Sequence, residues 1–190
     1  MSSSTSPATP APALAAAQHK AALWADDTQK VFAVVMGSRI PDLPTLLASA
    51  DVSDFDCLLP GALEPARALA APYLVQLKRE SAFTDWLLFE APGSLSDWGV
   101  LVTSPARLIQ LRNHLRQLLA AQLPGGEAIT LDWMDPEILL ALLPLFDGST
   151  LLNFFGPVSR LVIASASTWH YTQLDMGRLV QRAVPLLKAA

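Results

Sequence analysis

The amino-acid sequence predicts an α/β or α+β domain, with a central mixed sheet covered by helices. Three observations carry that class. Short Val-rich apolar runs such as "KVFAVVMGS" and "WGVLVTS" are bounded by turn residues and read as buried strands. Between two such runs, Leu108, Leu111, Leu115, Leu118 and Leu119 recur at helical spacing along one face. No internal repeat period is visible.

The elements follow in order. "MSSSTSPATPAP" is small, polar and Pro-rich, so residues 1–12 are expected to be a disordered tail. "ALAAAQHKAALWADD" has helical composition and ends near Asp26. Residues 30–38 form the first strand, stopping at Gly37. "PDLPTLLASA" is a short helix with Asp42 as its cap and Pro44 in its first turn. Residues 51–70 carry turn chemistry, with Pro60, Gly61 and Pro65. Residues 72–78, 84–91 and 98–104 read as three further strands, with "PGSLSD" as a turn. Ser104 caps and Pro105 opens the clearest helix, which "LPGG" at 123–126 ends. A strand at 128–134 precedes a second helix, capped by Asp135, started by Pro136 and running to about Phe146. "SRLVIASAS" and "TWHYTQL" are strands, and "GRLVQRAVPLLKAA" is a terminal helix interrupted near Pro185. Residues 13–190 thus make one domain, in which 164–190 either complete the fold or form a small C-terminal lobe.

Composition narrows the function classes. Hydrophobic residues are 52% of the 190 and charged residues only 16%, so the chain has a large core or an apolar face meant for a partner. A net charge of -4 offers no electrostatic basis for nucleic-acid binding. The strongest apolar run, Ile138 to Phe146, is far shorter than the ~20 residues of a membrane span and is broken by Pro144. The first charged residue is Lys20, so the basic start of a signal peptide is missing, and the expected compartment is the cytoplasm.

Motifs for chemistry are sparse. His19, His114 and His170 have no His, Cys or Glu at metal-ligand spacing. There is no GxGxxG, P-loop lysine or GxSxG elbow, so no catalytic residue, cofactor or metal is expected. Cys57, the only cysteine, lies beside Asp54 and Asp56, whose charge should raise its pKa and leave it structural. Arg107, Arg112, His114 and Arg116 form a basic helix face that is either solvated or set against an acidic partner. Trp133 and Leu131 alternate along a strand and should share its core side, while Asp132 points away. In "NFFGPV", Gly156 and Pro157 make a turn, and Phe154 and Phe155 in extended chain would face opposite sides, one in the core and the other either covering a second layer, as aromatics more often do, or exposed to a partner segment. Candidate partner-binding residues are therefore Trp133, Asp135, Glu137, Phe154, Phe155, Arg112 and Arg116.

The ordered pieces "VFAVVMGS", "LLPG", "APYLVQL", "DWLLF", "WGVLVTSPARLIQLRNHLRQLL", "DWMDPEILLALLP" and "FFGPV" run from about residue 30 to 163. Together they resemble the DUF4123 family, the adaptor or chaperone proteins of bacterial type VI secretion. The resemblance implies a non-enzymatic protein that binds a cognate effector in the cytoplasm and helps load it onto the valine-glycine repeat spike protein. Two departures stand out. Asp132 and Glu137 flank the Asp-Pro step where the family commonly has arginine, and Met36-Gly37-Ser38 stands where it often has Asp-Gly-Ala. Charge reversal at a rim can switch partner. The competing expectations are a toxin-regulating or immunity-like binding protein and an enzyme with an unrecognised site.

Overall fold

The computed structural model describes residues 12–95, 97–122 and 127–185. Its elements run α1 (Pro12–Leu23), β1 (Lys30–Met36), α2 (Leu43–Ser49), β2 (Asp54–Cys57), α3 (Pro65–Ala70), β3 (Pro72–Gln76), α4 (Ala82–Asp85), a π-helical turn (Trp86–Glu90), α5 (Ala91–Ser94) and β4 (Gly99–Ser104). There follow α6 (Leu108–Gln117), β5 (Ala120–Gln122), β6 (Ala128–Thr130), α7 (Pro136–Leu142), a 3₁₀ turn (Leu143–Leu145), α8 (Gly148–Phe155), β7 (Arg160–Ala164), β8 (Thr168–Asp175) and β9 (Arg178–Pro185).

Seven strands form one sheet in the order β2-β3-β1-β4-β7-β8-β9, and β5 with β6 makes a separate hairpin. Alternation sorts the strand side chains into two cores. Val31, Ala33, Val35, Tyr73, Val75, Leu101, Val162 and Trp169 face the layer of α1, α2, α4 and α5. Phe32, Val34, Leu74, Val100, Val102, Leu161 and Ile163 face α6, α7 and α8. The central sheet covered by helices is as the sequence predicts, and α+β is the class realised. The sheet is not mixed, however, because every pairing within it is antiparallel. Since β3 and β4 are both antiparallel to β1, they run parallel to each other, as the helical connection between them permits. The intervening β1 keeps them from pairing. Residues 164–185 continue the same sheet through β8 and β9.

Several elements differ from their sequence expectation. Residues 84–91 are helical rather than a strand. Phe83, Leu87, Leu88 and Ala91 are buried at helical spacing, and Ser81 Oγ accepts the Thr84 N–H at 3.2 Å to start the turn. The expected terminal helix is strand β9. Met176 (φ 47) and Gly177 (φ 76) are both left-handed, the requirement of a two-residue hairpin turn, and this returns the chain along β8. The turn-rich stretch 51–70 contains β2, paired with β3, and the helix α3. Asp42 is left-handed (φ 52) and binds the Thr45 hydroxyl at 2.9 Å instead of capping backbone. Helix α6 starts at Leu108, three residues after Pro105. Ser104 is spent on the β4 end: its Oγ donates to the Pro157 carbonyl at 2.7 Å and accepts the Ala106 N–H at 3.1 Å. Only residues 128–130 of the expected 128–134 strand are extended in a ladder. The tail expected over 1–12, apart from Pro12 in α1, and the "LPGG" turn lie outside the described residues.

One glycine shows how tightly the sheet centre is packed. Gly99 opens β4 at φ +143, and a Cβ there would stand 1.9 Å from the Val34 carbonyl oxygen. Only the missing side chain lets β4 close on β1.

Candidate partner-binding site

The residues singled out from sequence mostly hold the fold together. Trp133 is fully buried, and Phe154 meets it edge-on with ring centroids 5.7 Å apart. Phe155 is also buried. The two Phe lie in the last turn of α8 rather than in extended chain, and the expected Gly156-Pro157 turn follows it; the helix starts at Asp147, whose carboxylate accepts the Thr150 N–H at 2.7 Å. Helical geometry lets both rings enter one core, so they do not face opposite sides and neither is an exposed partner contact. Asp135 caps α7 as expected: one carboxylate oxygen accepts the Glu137 N–H at 3.0 Å and the Ile138 N–H at 3.3 Å. Its other oxygen lies 3.6 Å from Arg39. Glu137 is exposed.

The basic face of α6 is largely occupied. Arg112 pairs with Asp56 of β2. Arg116 donates to the carbonyls of Cys57 at 2.8 Å and Leu58 at 3.1 Å, tying the helix to the chain after β2. His114 Nε2 bonds the Phe154 carbonyl at 2.9 Å and lies where a side chain on Gly156 would go. The Cys57 thiol is pushed up chiefly by burial, with the Asp56 charge a minor contributor, so the sequence expectation holds in direction but not in main cause. Among the described residues no group of three or more His, Cys, Asp and Glu could hold a metal, and no histidine hydrogen-bonds a carboxylate. No helix among them is long and apolar enough to cross a membrane.

A groove of about 640 Å³ lies elsewhere, between α1 and the outer face of β7, β8 and β9. The antiparallel register arranges its floor in cross-strand rows. Arg160, Gln173 and Val180 make one row; Val162, Tyr171 and Arg182 the next; Ala164, Trp169 and Val184 the third. Helix α1 lays Gln18, His19 and Ala22 over them. His19 stacks on Trp169 with centroids 4.8 Å apart, and its Nδ1 hydrogen-bonds the Tyr171 hydroxyl.

The groove is cationic and partly apolar. Arg160 and Arg182 line it, while no described Asp or Glu does, and neither arginine forms an ion pair among the described residues. Arg160 Nε donates to Gln173 Oε1 at 3.0 Å, which aims its guanidinium along the floor. Burial raises the Tyr171 phenol to about 12 despite the opposing pull of the two arginines. Burial and then the Arg182 charge lower the His19 pKa. The imidazole is therefore neutral at pH 7, and Nδ1 can accept from the phenol. Beside the groove, the outer edge of β9 has no strand partner among the described residues.

The sequence-predicted candidates contribute none of these groove residues. The signal that could have found them is the period-two pattern Val180, Arg182, Val184, which a helical reading of the C-terminus scatters around an axis.

No curated protein and no solved structure matches this chain. The family described as "Domain of unknown function (DUF4123)" matches residues 31–151, from the first central strand into α8. The groove residues His19, Arg160, Tyr171 and Arg182 lie outside that span, on both sides of it. With nearly two-thirds of its length matched, this chain belongs to the DUF4123 family.

Proposed function

We propose that this protein is a non-enzymatic adaptor that binds a cognate type VI secretion effector in the bacterial cytoplasm. It would keep the effector competent and help load it onto the valine-glycine repeat spike protein. Membership of the DUF4123 family and the ordered motif set support the role. The observation that carries it is the groove: two arginines with no ionic partner among the described residues in a partly apolar cleft, beside an eight-residue strand whose outer edge no described strand pairs. Such a feature suits an extended polypeptide better than a small substrate.

The test is co-expression of the tagged protein with the products of neighbouring genes, followed by purification through a salt wash. Recovery of one effector, with or without the spike, supports the adaptor role. Inhibition of that effector's toxicity at equimolar ratio would point instead to an immunity-like protein. A purified protein that captures none of these neighbours would refute the proposal.

A further inference from the structure

Resting on that adaptor reading, we infer that β9 takes up an extended segment of its partner polypeptide as an eighth strand, and that this segment carries an acidic residue between two apolar residues at alternate positions. The pattern follows from the cross-strand rows. Among the described residues, strand β9 is the end of the sheet, eight residues long. A strand added there would lie about 4.8 Å away, with alternate side chains on the groove side. Its groove-side residues would stand directly opposite Val180, Arg182 and Val184, which line the groove at alternate positions, with Pro185 closing the strand beyond them.

The chemistry of those three positions differs. Val180 is 42% exposed, an apolar side chain left half in water at the mouth of the groove. An apolar neighbour in its row would cover it, and the same holds for Val184. Arg182 pairs across the ladder with Tyr171, not with an acid, whereas Arg178 faces Asp175 directly. Arg182 is thus the β9 arginine whose cross-strand neighbour brings no charge, and a carboxylate in the added strand supplies it. The opposite sheet edge is poorly suited to the same task. Strand β2 has only four residues, of which Asp54 and Asp56 are acidic. A strand edge protected by short length and charge is a common way to avoid pairing.

The experiment uses the full chain and a blocked peptide, acetyl-Thr-Val-Thr-Glu-Thr-Val-Thr-amide, followed by backbone amide chemical shifts and hydrogen exchange. Two control peptides replace Glu with Lys, or move Glu by one position so that it would point away from the groove. The expected result is slowed exchange and shifted resonances in β9, with about tenfold preference for the Glu peptide over the Lys peptide. Arg182→Glu, an exposed change, should reverse that preference. The same affinity for Glu and Lys peptides, an unchanged preference in Arg182→Glu, or no β9 response at millimolar peptide would each overturn the proposal. In those cases Arg178 and Arg182 serve only to keep the edge from pairing. Failure here can be told from failure of the adaptor role. An effector that co-purifies while β9 ignores the peptides leaves the adaptor and removes the groove. Peptide selection without any captured effector does the reverse.

Discussion

Asp135 separates a structural from a binding role most cleanly, because its two functions in the structure can be removed one at a time. Asp135→Ala deletes the acceptor for the Glu137 and Ile138 N–H groups at the start of α7. Loss of such a cap costs about 1 kcal/mol. It also deletes the contact with Arg39, whose side chain is 44% exposed. An ion pair in that setting contributes no more than about 0.5 kcal/mol. The expected loss is therefore about 1–1.5 kcal/mol, or a fall in Tm of roughly 2–6 °C for a chain of this length. Asp135→Asn keeps a capping oxygen and loses only the charge, so it should cost no more than about 0.5 kcal/mol, as should Arg39→Ala. Urea unfolding followed by circular dichroism measures all three. If Asn were as damaging as Ala, the charge and not the cap would be what matters. If Ala left stability unchanged but abolished effector capture, Asp135 would be a partner contact and the structural assignment would be wrong.

Three further outcomes are expected. Phe154→Ala should lower stability by about 3–5 kcal/mol in urea titrations, because it opens a cavity against Trp133, Phe146 and Phe155; a loss of effector capture at full stability would contradict its place in the core. Gly99→Ala should cost about 3 kcal/mol or more, since a Cβ at φ +143 meets the Val34 carbonyl; a soluble variant with an unchanged urea midpoint would show that β1 and β4 do not close as described. Acidification should weaken the seating of α1. The folded His19 pKa is lowered, so its neutral form is favoured by folding; that stability is complete above the ordinary value of 6.5 and is lost as pH falls below it toward the folded pKa. Exchange rates of α1 amides across pH 7 to 5 test this, and His19→Phe should flatten the dependence.

Much of this protein was legible in its sequence. The strands β1, β3, β4, β7 and β8 are short apolar or β-branched runs bounded on at least one side by Gly, Pro or Ser, and local pattern suffices for them. The Asp135-Pro136 start of α7 was equally plain, because a cap and a proline act on the residues beside them. The family motifs fall in this same region.

Tertiary structure decided the rest. "TDWLLFEA" and "GRLVQRAVP" each carry a run compatible with either period, and they exchanged roles: the first became helix over the β1–β3–β4 face, the second a strand at the sheet edge. Phe154 and Phe155 looked available only while the chain around them was read as extended; the helix placed both in the core. The groove was not read, although the period-two pattern of Val180, Arg182 and Val184 hinted at part of its floor. His19 is far in sequence from Arg160, Tyr171 and Arg182, which sit on consecutive strands, and what joins them is the register of β7, β8 and β9 under α1. Local propensity sets which residues turn, coil or extend, but a site made by rows across a sheet exists only once non-local pairing has chosen which strands are neighbours.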